Sequence, residues 1–248
     1  AAPFNAWIGE TQSWQTAFRF VALCDILIAL LVHDCLPKEH DQPQRISVGD
    51  LLKSLYSKPV WLVLVLNASI TACVTSVWSF SVLILSTHAE VPHNLGFIAT
   101  MVLAIGFLCG QLIGTYIANG RTHQSIGWAC AGAVVCSTLI WLSMSQYQLA
   151  LVFIFLLNVT LMINILIQVH LLHLTTGRPY LVFCMLNSAI FIGNFAGSLS
   201  SDAVLQLTGK NHSILILSIV FAIIALLAWV FLNQLHDKSK QQKRQAAL

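Results

Sequence analysis

Charge is the scarcest feature of this sequence. Of 248 residues only 12 are Lys or Arg and 9 are Asp or Glu, 8% in all, while 57% are hydrophobic. Soluble domains carry roughly 25% charged residues. A chain of this length with so few cannot cover a water-facing surface, which argues against a soluble enzyme or binding domain and for a polytopic membrane protein. Strands alternating between polar and apolar residues, the mark of a membrane barrel, are also missing. The apolar runs are instead continuous and reach the roughly 20 residues that a membrane helix requires.

Other absences narrow the chemistry. The seven cysteines are odd in number and include no C-x-x-C pair, so they read as small apolar packing residues rather than a disulfide framework. There is no nucleophile elbow, no phosphate-binding glycine loop and no carboxylate pair at glycosidase-like spacing, so neither an enzyme nor a cofactor is expected. His170 and His173 form H-x-x-H, but no third metal ligand is visible nearby, so no metal is expected. Asn67-Ala-Ser69 and Asn158-Val-Thr160 match the glycosylation pattern but sit inside apolar runs. The opening "AAPFNAWIGE" lacks an initiator Met and the layout of a signal peptide. It reads as a sequence joined in progress.

Seven apolar spans are present: A about 14–32, B about 60–84, C about 94–118, D about 126–144, E about 149–172, F about 180–203 and G about 212–233. The fold class is therefore all-α, a polytopic membrane helix bundle. Ten of the twelve Lys and Arg fall on one side if the spans alternate. They are Lys38, Arg45, Lys53 and Lys58 between A and B, Arg121, Arg178, and Lys238, Lys240, Lys243 and Arg244 in the tail. The positive-inside rule places that side in the cytoplasm and the N-terminal segment outside. The net charge of +3 thus reflects topology and implies no nucleic-acid partner. The expected organisation is 1–36, an orphan helix with its outer loop; 37–59, a cytoplasmic loop; 60–236, a six-helix bundle; and 237–248, a basic tail. Within the loop, Leu51, Leu52 and Leu55 are spaced for a short amphipathic helix at the lipid surface.

Helices in lipid associate through small residues and polar contacts. Gly106, Gly110, Gly114 and Ala118 recur every four residues in span C, and Ala189, Gly193, Gly197 and Ser201 do so in span F. Each is expected to let a neighbouring helix approach closely. Polar residues concentrate in B, E and F, and intramembrane polar groups face a bundle interior or a water-filled cavity. D and G are almost purely apolar and are expected to face lipid. At 100° per residue, Asn67, Thr71, Thr75 and Trp78 share one face of B. Thr160, Asn164 and Gln168 share one face of E, and Asn187, Phe191, Asn194 and Ser198 one face of F. These neutral donors and acceptors suit an uncharged or amphipathic solute better than an ion. The alternative for each row is hydrogen bonding between helices with no ligand. Asp25 alone lies deep in a span, a candidate proton carrier; the alternative is a pairing with a neighbouring helix or solvation at the interface.

Three stretches carry a resemblance. "PFNAWIGETQSWQTAF" is similar, through Pro3, Gly9, Trp14 and Phe18, to the helix five–six junction of sugar and drug efflux transporters of the major facilitator superfamily. Asn5 and Gln15 depart from that pattern, where a glycine and an arginine are usual. "LNSAIFIGNFAGS" resembles helix eleven through Asn187, Gly193 and Gly197, and "LGFIATMVLAIGFLCGQLIGTYIANGR" resembles helix eight. The resemblance implies that A to G are helices six to twelve of such a transporter, with B and E lining its central cavity. It implies a bacterial inner-membrane protein, proton-coupled efflux by alternating access, and a missing N-terminal six-helix half as partner, beside the solute and the bilayer. Solute contacts would fall to Asn67, Thr71, Trp78, Thr160, Asn164, Gln168, Asn187 and Asn194. Span B lacks the carboxylate that several relatives carry, which places coupling elsewhere. The competing expectations are a non-transporting remnant or scaffold half and, behind it, a membrane enzyme.

Overall fold

The computed structural model of the chain describes residues 14–35, 49, 57–86, 95–118, 120, 122–174 and 179–245. The opening "PFNAWIGE", most of the 37–59 loop with its expected amphipathic helix, and the last three residues lie outside the described residues. All regular structure among the described residues is helical: α1 (Trp14–Cys35), α2 (Lys58–Leu85), α3 (Leu95–Ala118), α4 (Thr122–Leu142), α5 (Tyr147–Val159), α6 (Ile163–Leu174), α7 (Pro179–Thr208) and α8 (His212–Gln245). A single 3-10 turn, Thr160–Met162, joins α5 to α6, and the three together form span E.

The helix ends follow from local chemistry. Pro59 sits in the first turn of α2, where its missing N–H and fixed φ cost nothing. At the other end the Ser86 N–H donates to the Val82 carbonyl at 2.8 Å. Helix α7 stops at Gly209, whose φ of 64° is left-handed and whose N–H donates to the Leu205 carbonyl at 2.8 Å. A Cβ there would meet nothing within 4 Å. Gly209→Ala is therefore expected to destabilise by about 1 kcal/mol through backbone strain alone, and Gly209→Asn by less. Gly120 adopts no such backbone and has room, so Gly120→Ala should be neutral. Unfolding in mixed micelles would separate the two.

Among the described residues, six helical segments are long and apolar enough to cross a membrane, and they correspond to spans B to G. Span A is the helix α1. Its described side chains, Asp25 included, are mostly exposed. At the other end of the chain, α8 continues as helix through the basic segment to Gln245, so residues 237–245 extend the last span rather than trail from it.

The six spans form two triplets, α2–α3–α4 and α5/α6–α7–α8, that grip each other crosswise. The first helix of each triplet packs against the second and third helices of the other, α2 against α7 and α8, and α5/α6 against α3 and α4, while the third helices, α4 and α8, also pack against each other. Glycine makes both crossings possible. A Cβ on Gly106, Gly110 or Gly114 of α3 would lie 2.7 to 2.8 Å from the carbonyl oxygens of Phe155, Val159 and Met162. A Cβ on Gly193 of α7 would collide with the Ala68 carbonyl, and one on Gly197 would lie 2.5 Å from that of Ala72. The two ribbons are thus seams of direct backbone contact, as their spacing required.

The expectation that D and G merely face lipid needs correction. Helix α8 (span G) has one exposed face, with Ile216, Val220 and Leu227, and one buried face that walls in α2. Ser218 on the buried side lies 3.2 Å from both Cys73 of α2 and Ser137 of α4, and donates to the Cys73 carbonyl at 3.0 Å. The least buried span is α3, which offers its glycine seam inward and Ile105, Leu108, Leu112 and Tyr116 outward. Average apolarity could not rank these helices, because in lipid a buried face and a lipid face are equally apolar.

Candidate functional site

The polar residues of α2 divide by face. One face meets α7 and is satisfied there. Thr75 donates to Asn194 Oδ1 at 2.6 Å, Ser79 and Ser198 lie 3.1 Å apart, and Ser76 donates to the Ala72 carbonyl at 2.7 Å. Of the expected solute residues, Asn194 is therefore held by a helix–helix hydrogen bond. Asn187, on the same helix, donates to the Phe183 carbonyl of its own preceding turn at 2.8 Å. Trp78 is partly exposed near the far end of α2.

Asn67 and Thr71 differ from these. Asn67 is 0% exposed, and neither its amide nitrogen nor its amide oxygen has a protein partner. The Thr71 hydroxyl is likewise buried and unpartnered, beside the Gly193 seam. Buried polar groups without partners are rare in folded proteins and each calls for an explanation, water or ligand among them.

Span E is not the single strip that its spacing suggests. Asn158 donates to the Ile154 carbonyl at 2.9 Å and the Thr160 hydroxyl to that of Leu157 at 2.6 Å. Such side chain-to-backbone bonds compete with the regular helical ladder, and the backbone tightens into the 3-10 turn at this point. Three residues at the tighter pitch advance the helix by about 60° relative to a continuous α-helix. Thr160 consequently turns toward Gly132 of α4, Asn164 is half-buried with an unpartnered Oδ1, and Gln168 is exposed. The Asn158-x-Thr160 pair was the readable signal for this break, and neither residue is available for glycosylation, both being buried.

Two further features escaped the spacing argument because their members come from different helices. One is the Cys73–Ser137–Ser218 knot described above. The other joins three imidazoles: the His123 ring centre lies 5.5 Å from that of His170 and 5.1 Å from that of His236. The H-x-x-H pattern thus acquires neighbours on α4 and α8, while the His173 side chain lies outside the described residues. Among the described residues no three His, Cys, Asp or Glu side chains are arranged to hold a metal ion.

An open apolar cavity of about 380 Å³ is lined by residues of α2 and α7, Trp61, Leu64, Met185 and Ile192 among others. Beside it runs an outward-facing row of α7, Phe183, Phe191, Phe195 and Leu199, with Phe191 70% exposed.

Comparison with solved structures gives a fold likeness. The chain is similar to the crystal structure of a Major Facilitator Superfamily (MFS) transporter, FucP, in the outward conformation, with a TM-score of 0.62 and 14% sequence identity over 89% of this chain. The chain spans about half the length of that protein, 55% of it. No family model matches the sequence, and no curated protein does. The bundle is thus a multi-pass membrane bundle of the major facilitator type in fold.

Proposed function

We propose that the chain is the C-terminal half, helices six to twelve, of a secondary efflux transporter that exports a small neutral or amphipathic solute by alternating access. The single observation that carries this reading is the polar set Asn67, Thr71 and Asn164, buried wholly or in part at mid-span with polar atoms unpartnered, in a bundle similar in fold to a transporter of which it spans 55%. A polar group in lipid without a protein partner is a functional-site candidate by default. A site near the midplane, at the meeting of two helical halves, is where such a fold binds its solute. The apolar row of α7 supplies a surface against which a second six-helix half can rock. The reading includes the bacterial inner membrane, the tail in the cytoplasm and proton coupling, with Asp25 as one candidate carrier. It includes no covalent chemistry. The hydrogen bonds of Asn194 and Asn187 leave these two as supports of the wall, whereas Asn67, Thr71, Asn164 and Gln168 are its contact residues.

Aqueous access tests the reading. In the full-length protein, Asn164→Cys and Gln168→Cys should react with a membrane-impermeant thiol reagent in at least one transport state. Bound solute should slow the reaction. If both positions stay unreactive in every state, the wall assignment is wrong.

A further inference from the structure

We propose that the cavity lined by α2 and α7 binds the alkyl chain of a single-chain anionic amphiphile, a medium-chain carboxylate, with its head beside Lys58. The proposal goes beyond the transport reading and does not depend on it, since it claims binding rather than passage. Its basis is the way the two helices meet. They run parallel: Gly193 abuts Ala68, Gly197 abuts Ala72, Thr75 donates to Asn194, and Ser79 lies 3.1 Å from Ser198. Both helices therefore begin at the same end of the bundle. The cavity precedes this seam on each of them, from Trp61 to Ala68 on α2 and from Cys184 to Ile192 on α7. At 1.5 Å per residue these stretches make it roughly 10–12 Å long. An alkyl chain of about eight to ten carbons spans that length. The volume of about 380 Å³ suits one small ligand rather than a two-chain lipid.

The wall of the cavity and the end beside it differ in chemistry. The wall is apolar. Its one hydroxyl, that of Ser188, already donates to the Cys184 carbonyl at 2.9 Å, so a sugar would leave its own hydroxyls unmet here. The end at which the helices begin is positive. Two helix N-termini lie there, each equivalent to about half a positive charge. Lys58 is exposed and lies one turn before Trp61 on the same face of α2. Neither helix has an acidic residue in its first turn, and the one carboxylate on either, Asp202, is near the far end of α7. Lysine and tryptophan at a helix end also serve as interface anchors. An anchor requires no cavity beside it, whereas an amphiphile with an anionic head requires both.

Native Cys184 supplies the readout, because it lines the cavity and is exposed. In the full-length protein in nanodiscs of zwitterionic lipid, its alkylation by N-ethylmaleimide is followed by mass spectrometry of its peptide. Cys109 on α3, outside the cavity, is the control. Decanoate should slow the reaction at Cys184 saturably and leave Cys109 unaffected. Decanol should need about fivefold more to do the same. Lys58→Gln should cut that preference to about twofold or less, with protection by decanol unchanged. Ala68→Leu, which fills the seam end of the cavity, should weaken decanoate about tenfold and spare the shorter hexanoate. The proposal is overturned if decanoate has no effect, or if decanol protects equally well, in which case any apolar chain, a bilayer lipid's included, is the occupant. A preference that survives Lys58→Gln overturns it too, as does an Ala68→Leu variant that treats decanoate and hexanoate alike. So does a Cys184 that is unreactive before any amphiphile is added, the result expected if the rest of the transporter covers this face.

Discussion

Replacing Gly197 by leucine should prevent the bundle from assembling, and even Gly197→Ala should cost about 1–3 kcal/mol, the usual penalty for overpacking. The reason is the nature of the obstacle. A Cβ on Gly197 would lie 2.5 Å from the Ala72 carbonyl oxygen and 3.0 Å from the Ala72 Cα, both backbone atoms that no rotamer change can move. The helices α2 and α7 would have to separate along the seam. Separation would stretch the Thr75–Asn194 and Ser79–Ser198 hydrogen bonds that lie along it. Gly193→Ala should behave alike, since its obstacle is the Ala68 carbonyl. The two substitutions load the same seam, so their effects should be less than additive. Gly110→Ala, in the α3–α5 seam, should add its own cost in full. Unfolding in mixed detergent micelles, with wild-type-like behaviour of Gly120→Ala as the control, gives the measurement. Wild-type stability of Gly197→Leu would show that α2 and α7 do not touch as described.

Asn67→Leu should leave stability unchanged or raise it by about 1 kcal/mol, because an apolar side chain relieves a buried amide of its unmet hydrogen bonds. Under the proposed function the same change should reduce transport by the full-length protein about 10- to 100-fold, the loss expected when a site loses its hydrogen bond to the solute. Asn194→Leu should show the opposite pattern. It leaves the Thr75 hydroxyl without its acceptor across α2–α7, so stability should fall by about 1 kcal/mol or more, with transport affected mainly through the amount of folded protein. The pair therefore distinguishes a cavity residue from a packing residue on helices of similar polarity. If Asn67→Leu is as destabilising as Asn194→Leu, Asn67 holds a structural partner rather than a solute.

Much of this architecture was legible in the chain. Twenty-odd residues of continuous apolar sequence admit only a helix in lipid, because every backbone group must be satisfied within the segment. The glycines of spans C and F, four residues apart, could be read as contact seams because each such stripe lies on one helix face. The candidate site was only partly legible. Asn67, Thr71 and Asn194 share helical faces by arithmetic, yet arithmetic does not say which face meets a neighbour. Asn194 meets Thr75, while Asn67 meets no polar partner at all. The row Thr160, Asn164 and Gln168 assumed an unbroken helix, and two local side-chain bonds break it. The Cys73–Ser137–Ser218 knot and the three-histidine cluster draw members from three helices each, and no spacing within one helix predicts them.

By itself, then, the amino-acid order determined that the protein lives in a membrane, where its helices run and which stripes can touch. These are consequences of transfer free energy and helical pitch, which act within one segment. Only the tertiary structure decided which helix each stripe touches, which polar groups are spent on packing, and which are buried without a partner. Those outcomes depend on distances between segments far apart in sequence, and in lipid, where buried and exposed faces are equally apolar, composition does not encode them.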